Sequence, residues 1–204
     1  LLGGIPRGEM PELPHRHLGL VTADEETLDG GALDGLADAI ESGVDIDGVL
    51  EAAREVPDFS APEQGGPGIV DETARVGVSR DRAFHFYYPD NLEALERAGC
   101  RPVPFSPMED RKLPEGLDAL YLGGGYPEEC ARELSENEAM RRDVREFCGS
   151  GRPVYAECGG LMYLSRALRD RDGERFPMVG ILPAETRMLP ELRTLGYVEV
   201  EMTA

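Results

Sequence analysis

A predicted strand and a predicted helix meet directly at Ala156-Glu157-Cys158-Gly159-Gly160, and this junction constrains the fold more than any other part of the chain. A nucleophile on such an elbow needs small residues two places before and after it, as Ala156 and Gly160 are. The N–H after the cysteine, on Gly159, would point into the site as an oxyanion donor. The helix that follows places its N-terminal dipole under the sulfur and favours the thiolate. We therefore predict Cys158 as a nucleophile, with a buried cysteine before a glycine turn as the alternative.

Short strands and helices alternate from residue 75 onward. The predicted strands are VGVS (76–79), RPVPF (101–105), LDALYL (117–122), PVYAE (153–157), MVGIL (178–182) and LGYVEVEM (195–202). The predicted helices are 89–99, 128–149 and 161–168. Such alternation indicates an α/β fold in which helices cover both faces of a parallel sheet.

Residues 57–73 are rich in proline and glycine and nearly free of large apolar side chains, which predicts a linker. Before this linker, residues 24–56 carry apolar residues at helical spacing, interrupted at Gly43, so two amphipathic helices are expected. The sequence therefore predicts one segment over 1–56 and a separate α/β domain over 74–204.

A second glycine cluster, Gly123-Gly124-Gly125, closes the strand before the elbow strand. Glycines let the backbone approach a bound group and expose its N–H donors. A donor from this turn would complete the two-donor arrangement of elbow enzymes. A phosphate or dinucleotide loop is the rival interpretation, although GGGYPEE does not match GxGxxG, and a plain tight turn is the third.

Composition and charge exclude several classes of partner. The net charge of -19 argues against nucleic acid and anionic membranes, and no run of about eighteen apolar residues could span a bilayer. Four cysteines without a CxxC pair predict free thiols and a cytoplasmic protein. The single lysine, Lys112, follows an arginine, so the chain holds no Walker A loop and no metal site is predicted. Nothing in the sequence fixes the oligomeric state, and a homodimer stays open.

A nucleophilic cysteine needs a base, and histidine is the usual one. All three histidines precede Cys158, and only His85 follows the predicted linker. It belongs to an aromatic run, FHFYY (84–88), and we expect it to be a member of that cluster or a substrate contact rather than the base. His85, Tyr87 and Tyr88 are therefore candidate substrate contacts. The run would suit a flat ring, although aromatic runs are more often core or interface.

Several stretches resemble one family, the cobyrinic acid a,c-diamide synthases. They are AFHFYYPDNLEAL (83–95), ALYLGGGYPEE (119–129), PVYAECGGLMYL (153–164) and LGYVEVE (195–201), with RHLGLV (16–21) and the two helices after it. The resemblance implies a two-domain synthetase acting on a corrinoid in cobalamin biosynthesis. An N-terminal P-loop domain uses ATP and Mg²⁺ to activate ring acetates as acyl phosphates. A C-terminal class I glutamine amidotransferase-like domain, with flavodoxin-like layering, releases ammonia from glutamine.

The resemblance also implies site residues. The catalytic cysteine falls on Cys158, and the oxyanion and glutamine-binding glycines fall on Gly123, Gly124 and Gly159. The histidine of the family lies in a Gly-His-Glu segment downstream of the LGY strand, beyond Ala204. We accordingly expect a fragment, inactive alone, in which residues 1–56 are the remnant of the ATP-binding domain; a naturally minimal or partner-completed domain is the alternative.

Other interpretations remain open at this point. Cobyric acid synthase and nickel-sirohydrochlorin a,c-diamide synthase are sister enzymes of the resembled family, and the ECGGLMYL elbow favours the a,c-diamide type over the cobyric acid type. From other classes, a redox-sensing or chaperone-like protein with an elbow cysteine is one alternative. A module that only binds a tetrapyrrole is another.

Overall fold

The computed structural model describes residues 1–8, Met10, 30–56 and 73–189. The chain separates into two units, Leu1–Gln64 and Gly65–Ala204. The predicted linker lies outside the described residues except for Thr73, and so does the predicted strand LGYVEVEM (195–202). Among the helices described, none has the length and apolar character needed to cross a membrane.

The first unit contains two helices, as the apolar spacing predicted. They are α1 (Gly30–Gly43) and α2 (Ile46–Arg54). Asp45 caps the second helix, because its side chain accepts a hydrogen bond from the N–H of Gly48 at 3.0 Å. Its own N–H donates to the carbonyl of Leu2 at 2.7 Å, which ties the start of the chain to the junction between the helices.

The second unit is built on a four-stranded parallel sheet. Its strands are β1 (Ala74–Ser79), β2 (Cys100–Phe105), β3 (Ala119–Leu122) and β4 (Val154–Ala156). They lie in the order β2-β1-β3-β4, which is the start of the flavodoxin-like order. In such sheets, ligands bind beyond the carboxyl ends of the strands, where the strand order reverses. Here that point lies between β1 and β3.

Helices cover both faces of this sheet, which confirms the predicted α/β class. They are α3 (Pro89–Arg97), α4 (Ala131–Glu136), α5 (Glu138–Gly149) and α6 (Gly159–Leu164). Side chains alternate between the two faces along a strand, and β3 shows this directly. Leu120 and Leu122 belong to the large core with α4, α5 and α6, whereas Tyr121 packs with Val76 and with Leu95 of α3.

Local sequence sets the ends of two of these helices. Pro89 begins α3, where its missing N–H costs nothing, and Gly99 follows the helix with a φ of +82°. Asn137 separates α4 from α5 and is only 4% exposed. Its amide nitrogen donates to the carbonyls of Pro107 and Asp110 at 2.9 and 2.7 Å, which fixes the loop after β2 against the helices.

The predicted helix over 161–168 is wrong in its extent. The helix α6 begins at Gly159 and ends at Leu164, and the next residues form a strand, β5 (Ala167–Arg169). Ser165 turns the backbone to an extended conformation, with a ψ of 171°, and its hydroxyl donates to the carbonyl of Met162 at 2.7 Å. This side-chain bond replaces a helical bond and stabilises the early end.

A second, three-stranded sheet follows. It contains β5, β6 (Arg175–Pro177) and β7 (Glu185–Arg187), with β5 in the centre, antiparallel to β6 and parallel to β7. The predicted strand MVGIL (178–182) is wrong, because this segment belongs to no strand. Val179 and Ile181 instead donate to the carbonyls of Tyr163 and Leu164, both at 2.9 Å. The segment therefore caps the end of α6.

Candidate active site

Cys158 lies between β4 and α6 and has a φ of 47° and a ψ of -112°. Among the described residues, it is the one non-glycine with a positive φ. Such a backbone conformation costs on the order of 1–3 kcal/mol and persists only where the surroundings enforce it. The thiol side chain is exposed. The predicted elbow is thus present in the backbone, and it holds the sulfur out of the core.

Both glycines after the cysteine are closely packed, and at Gly160 the packing excludes any side chain. A Cβ on Gly160 would lie 2.1 Å from the carbonyl oxygen of Leu122, which is backbone and cannot move aside. The N–H of Gly160 donates to the carbonyl of Gly123 at 2.9 Å. On Gly159, a Cβ would lie 3.2 Å from the nitrogen of Gly125. The elbow therefore packs directly on the predicted glycine turn.

The glycine turn is fixed from its other side by the loop after β1. The carbonyl of Gly124 accepts hydrogen bonds from the N–H groups of His85 and Phe86, both at 3.1 Å. Gly125 has a φ of +156°, and a Cβ there would lie 2.1 Å from the carbonyl oxygen of Ala83. A Cβ on Gly124 would lie 3.6 Å from that of Cys158. The structure thus brings the turn next to the candidate nucleophile.

Two N–H groups around the cysteine are available as donors. Those of Gly125 and Gly159 have no acceptor within the described part of the chain, whereas Gly124 forms an antiparallel bridge with Phe86. In a trans peptide the N–H points opposite to the preceding carbonyl. The carbonyl of Gly123 is bonded to Gly160, so the N–H of Gly124 points away from the elbow, whereas the carbonyl of Gly124 is bonded to the loop after β1, so the N–H of Gly125 points away from that loop. The N–H groups of Gly125 and Gly159 can stabilise an oxyanion.

Sequence reasoning selected Gly123, Gly124 and Gly159 but missed Gly125 as a donor. The N–H of Gly123 is occupied, because it donates to the hydroxyl of Tyr87 at 2.9 Å. The signal available in the sequence was that Gly125 is the third glycine of an unbroken run, which is one more glycine than a turn of two residues needs.

The three candidate substrate contacts lie in different surroundings. The ring of His85 packs against Phe86 and Tyr126, with centroids 4.5 and 5.7 Å away. Its Nδ1 lies 3.1 Å from the carbonyl oxygen of Arg82 and must carry the proton there, because a carbonyl only accepts. Tyr88 is 74% exposed. Tyr87 is partly buried, and burial raises the pKa of its hydroxyl.

Glu157, directly before the cysteine, anchors the elbow to the sheet and was not singled out from the sequence. Its carboxylate accepts hydrogen bonds from the hydroxyls of Tyr121 at 2.6 Å and Tyr155 at 3.3 Å. Burial and the hydrogen bond to Glu157 raise the pKa of Tyr121, and the negative charge of Glu157 raises that of Tyr155. Both phenols therefore remain protonated donors at neutral pH.

Burial keeps two other cysteines in the neutral thiol form. Cys130 is buried, which raises the pKa of its thiol to about 11, and burial also raises the pKa of Cys148. A thiol held in its neutral form is a poor nucleophile. Across 1–8, 30–56 and 73–189, no three His, Cys, Asp or Glu side chains gather as metal ligands. The glycine turn does not fit a nucleotide phosphate, because the ring of Tyr87 fills the space beside Gly123, 2.5 Å from its Cβ position.

Comparisons with known proteins show which proteins this chain is similar to. Three of the similar proteins, each with the name cobyrinate a,c-diamide synthase, serve as examples. The protein from Syntrophotalea carbinolica is 51% identical to this chain over 204 residues. The proteins from Caldanaerobacter subterraneus and Archaeoglobus fulgidus are 44% identical over 204 residues and 43% identical over 198 residues. These alignments cover 100%, 100% and 97% of this chain, but only 44%, 44% and 42% of the relatives. The chain thus spans less than half of their length.

A crystal structure of a glutamine amidotransferase is also similar, with 25% identity, a TM-score of 0.41 and coverage of 55% of each chain. The resemblance drawn from the sequence is confirmed, and the nickel-sirohydrochlorin and redox alternatives are not favoured. The predicted α/β fold with a parallel sheet is confirmed by the strand order of the second unit. The profile of the CobB/CobQ-like glutamine amidotransferase domain matches residues 75–204, and the chain belongs to that family.

Proposed function

We propose that this domain hydrolyses glutamine at Cys158 and supplies the ammonia for amidation of the a and c acetate side chains of cobyrinic acid. The observation that carries the glutaminase part is the elbow itself, with an exposed thiol at a φ of 47° beside unpaired N–H donors. The names of the relatives support the corrinoid substrate.

In the proposed reaction, the sulfur of Cys158 attacks the carboxamide carbon of glutamine. The carbonyl oxygen becomes an oxyanion and accepts hydrogen bonds from the N–H groups of Gly159 and Gly125. The C–N bond then breaks, and the nitrogen leaves as ammonia after accepting a proton. Water hydrolyses the thioester to glutamate and frees the thiol. Removing one donor of this kind costs about 10²–10³-fold in kcat in a well-studied protease.

A histidine base completes this scheme, and we do not give that role to His85. Its Nδ1 donates to the carbonyl of Arg82, which leaves the lone pair on Nε2, but Nε2 is buried and has no hydrogen-bond partner, the Cys158 thiol included. We also propose that the whole protein uses ATP and Mg²⁺ to activate the corrinoid carboxylates. The glycine turn does not fit a nucleotide phosphate, and no step at Cys158 passes through the nucleotide.

The test is Cys158→Ser in the natural, full-length protein. Glutamine-dependent amidation of cobyrinic acid should be lost, whereas amidation with ammonium salts should stay near the wild-type rate, because free ammonia needs no thiol. Cys100→Ser, at a half-buried cysteine on β2, is the matched control and should retain both activities. Full glutamine-dependent activity of Cys158→Ser would overturn the glutaminase assignment. If the protein amidated nickel-sirohydrochlorin but not cobyrinic acid, the substrate assignment would be wrong.

A further inference from the structure

The hydroxyl of Tyr87 joins the end of β1 to the start of the glycine turn. It donates to the carbonyl of Ser79 and lies 2.8 Å from the Ser79 hydroxyl. It also accepts the N–H of Gly123 at 2.9 Å. Ser79 is completely buried, and Tyr87 is partly buried. One side chain therefore links the two strands that flank the point where the strand order reverses.

These contacts use the full hydrogen-bonding capacity of the phenol. A tyrosine hydroxyl has one proton to donate and can accept from other donors. Its proton goes to the carbonyl of Ser79, so the Ser79 hydroxyl must donate to it, as the N–H of Gly123 does. The ring is also fixed, because it packs edge-on against Tyr121 with centroids 5.0 Å apart. Nothing in this arrangement leaves the hydroxyl free for a substrate.

The contact fixes the first residue of the turn, and an oxyanion donor, the N–H of Gly125, follows two residues later. The carbonyl of Gly123 is held by Gly160, so both polar groups of Gly123 have fixed partners. The carbonyl of Gly124 is held by the loop after β1, so the direction of the Gly125 N–H is set by these fixed groups. A donor acts strongly in catalysis only when it is aimed in advance at the developing charge.

We propose that Tyr87 is a positioning residue that aims the oxyanion donor of the glycine turn, the N–H of Gly125, rather than a substrate contact. The inference deepens the proposed glutaminase function and rests on it. It predicts that removing one oxygen atom, remote from the thiol, slows the step that builds an oxyanion and spares steps that do not.

The test compares Tyr87→Phe with Ser150→Ala in the natural, full-length protein. Ser150→Ala is the control, because it removes an exposed hydroxyl that donates to the carbonyl of Phe147 between α5 and β4, at the opposite end of β4 from the elbow. In Tyr87→Phe, kcat for glutamate release should fall about 10–100-fold with KM changed less than about twofold, a partial loss of a donor worth 10²–10³. Ser150→Ala should stay within about twofold of wild type.

Two further readouts separate aiming from structural damage. Alkylation of Cys158 by iodoacetamide builds no oxyanion, so its rate should be equal in wild type and Tyr87→Phe. An alkylation rate that falls in parallel with kcat, or an unchanged kcat, would overturn the proposal. Ser79→Ala, which keeps the tyrosine and removes one contact, should show a smaller loss of kcat in the same direction, and provides the test if Tyr87→Phe does not fold.

Amide hydrogen exchange at Gly123 tests the positioning without catalysis. Its exchange rate should rise about fivefold in Tyr87→Phe, since a hydrogen bond contributes about 1 kcal/mol. An unchanged rate would overturn the proposal even if glutaminase activity fell. A wild-type protein that releases no glutamate would instead refute the proposed function, and the exchange measurement would still decide the role of Tyr87.

Discussion

Replacing Cys158 by glycine should make the domain more stable than replacing it by alanine. At most positions the opposite holds, because glycine has more conformational freedom in the unfolded chain and loses about 0.5–1 kcal/mol relative to alanine. Cys158 has a φ of 47° and a ψ of -112°, a conformation that favours glycine. Its side chain is exposed, so neither substitution leaves a cavity.

The difference in stability between the two variants follows from two opposing effects, backbone strain in the folded state and conformational freedom in the unfolded state. Alanine keeps the Cβ and therefore keeps the backbone strain of about 1–3 kcal/mol. Glycine relieves that strain and loses about 0.5–1 kcal/mol through the unfolded state. Taking central values, the glycine variant should be more stable than the alanine variant by about 0.5–2 kcal/mol.

Equilibrium unfolding in urea, monitored by circular dichroism, measures the difference. The two variants should have equal m-values and different midpoints, which indicates a change in stability alone. Ala94→Gly is the control, because Ala94 is exposed in α3, and this change should lower stability by about 1 kcal/mol. If Cys158→Gly were less stable than Cys158→Ala by a similar amount, the strain at the elbow would be refuted.

Two further substitutions test the packing and the charges. Gly160→Ala would place a Cβ 2.1 Å from the carbonyl oxygen of Leu122, so the free energy of unfolding, measured in the same urea titration, should fall by about 3 kcal/mol. Gly149→Ala is the control: its Cβ would meet nothing within 4 Å, so this change should be neutral or slightly stabilising. Hydrogen bonds from Arg175 and Arg169 lower the pKa of Glu185, so its contribution is present above the ordinary glutamate pKa and is lost as pH falls through the lowered value. Thermal melts should therefore give a higher Tm for wild type than for Glu185→Gln at pH 7, and this difference in Tm should disappear in acid. A difference in Tm that does not depend on pH would contradict the prediction.

The elbow could be predicted from the sequence because its requirements are local. A sharp turn between a strand and a helix restricts the size of the adjacent side chains, and the sequence AECGG has small residues, Ala156 and Gly160, at the restricted positions. The structure supplies the physical reason for Gly160, whose Cβ would collide with β3. The strands and helices from β1 to β4 were likewise predictable, since their apolar runs are bounded by proline and glycine.

The end of α6 could not be predicted in the same way. The letters LMYLSRAL have no glycine or proline, and nothing within them forbids a longer helix. Pairing with residues 175–177 and 185–187, far along the chain, makes Ala167–Arg169 a strand. Tertiary contacts override a weak helical preference, and a local pattern contains no information about them.

The role of Tyr87 was hidden for a related reason. The run FHFYY (84–88) shows five rings but does not show which side chain faces the sheet. Gly123, the partner of the Tyr87 hydroxyl, lies 36 residues away, as does Tyr121 from its partner Glu157. Interactions over such separations depend on which strands are neighbours, so only the strand order reveals that Tyr87 supports the turn.

The strain at Cys158 and the direction of the oxyanion donors have the same support. On one side of the cysteine, the N–H of Glu157 donates to the carbonyl of Leu122 at 3.0 Å; on the other, Gly160 donates to Gly123 at 2.9 Å. The backbone at residue 158 cannot relax without breaking one of these bonds, because both ends of the elbow are fixed to the end of β3. The donor of the turn, the N–H of Gly125, follows two residues after Gly123, which Tyr87 holds. Any change that loosens the end of β3 should therefore disturb nucleophile and donors together, whereas a change confined to the thiol should disturb only the nucleophile.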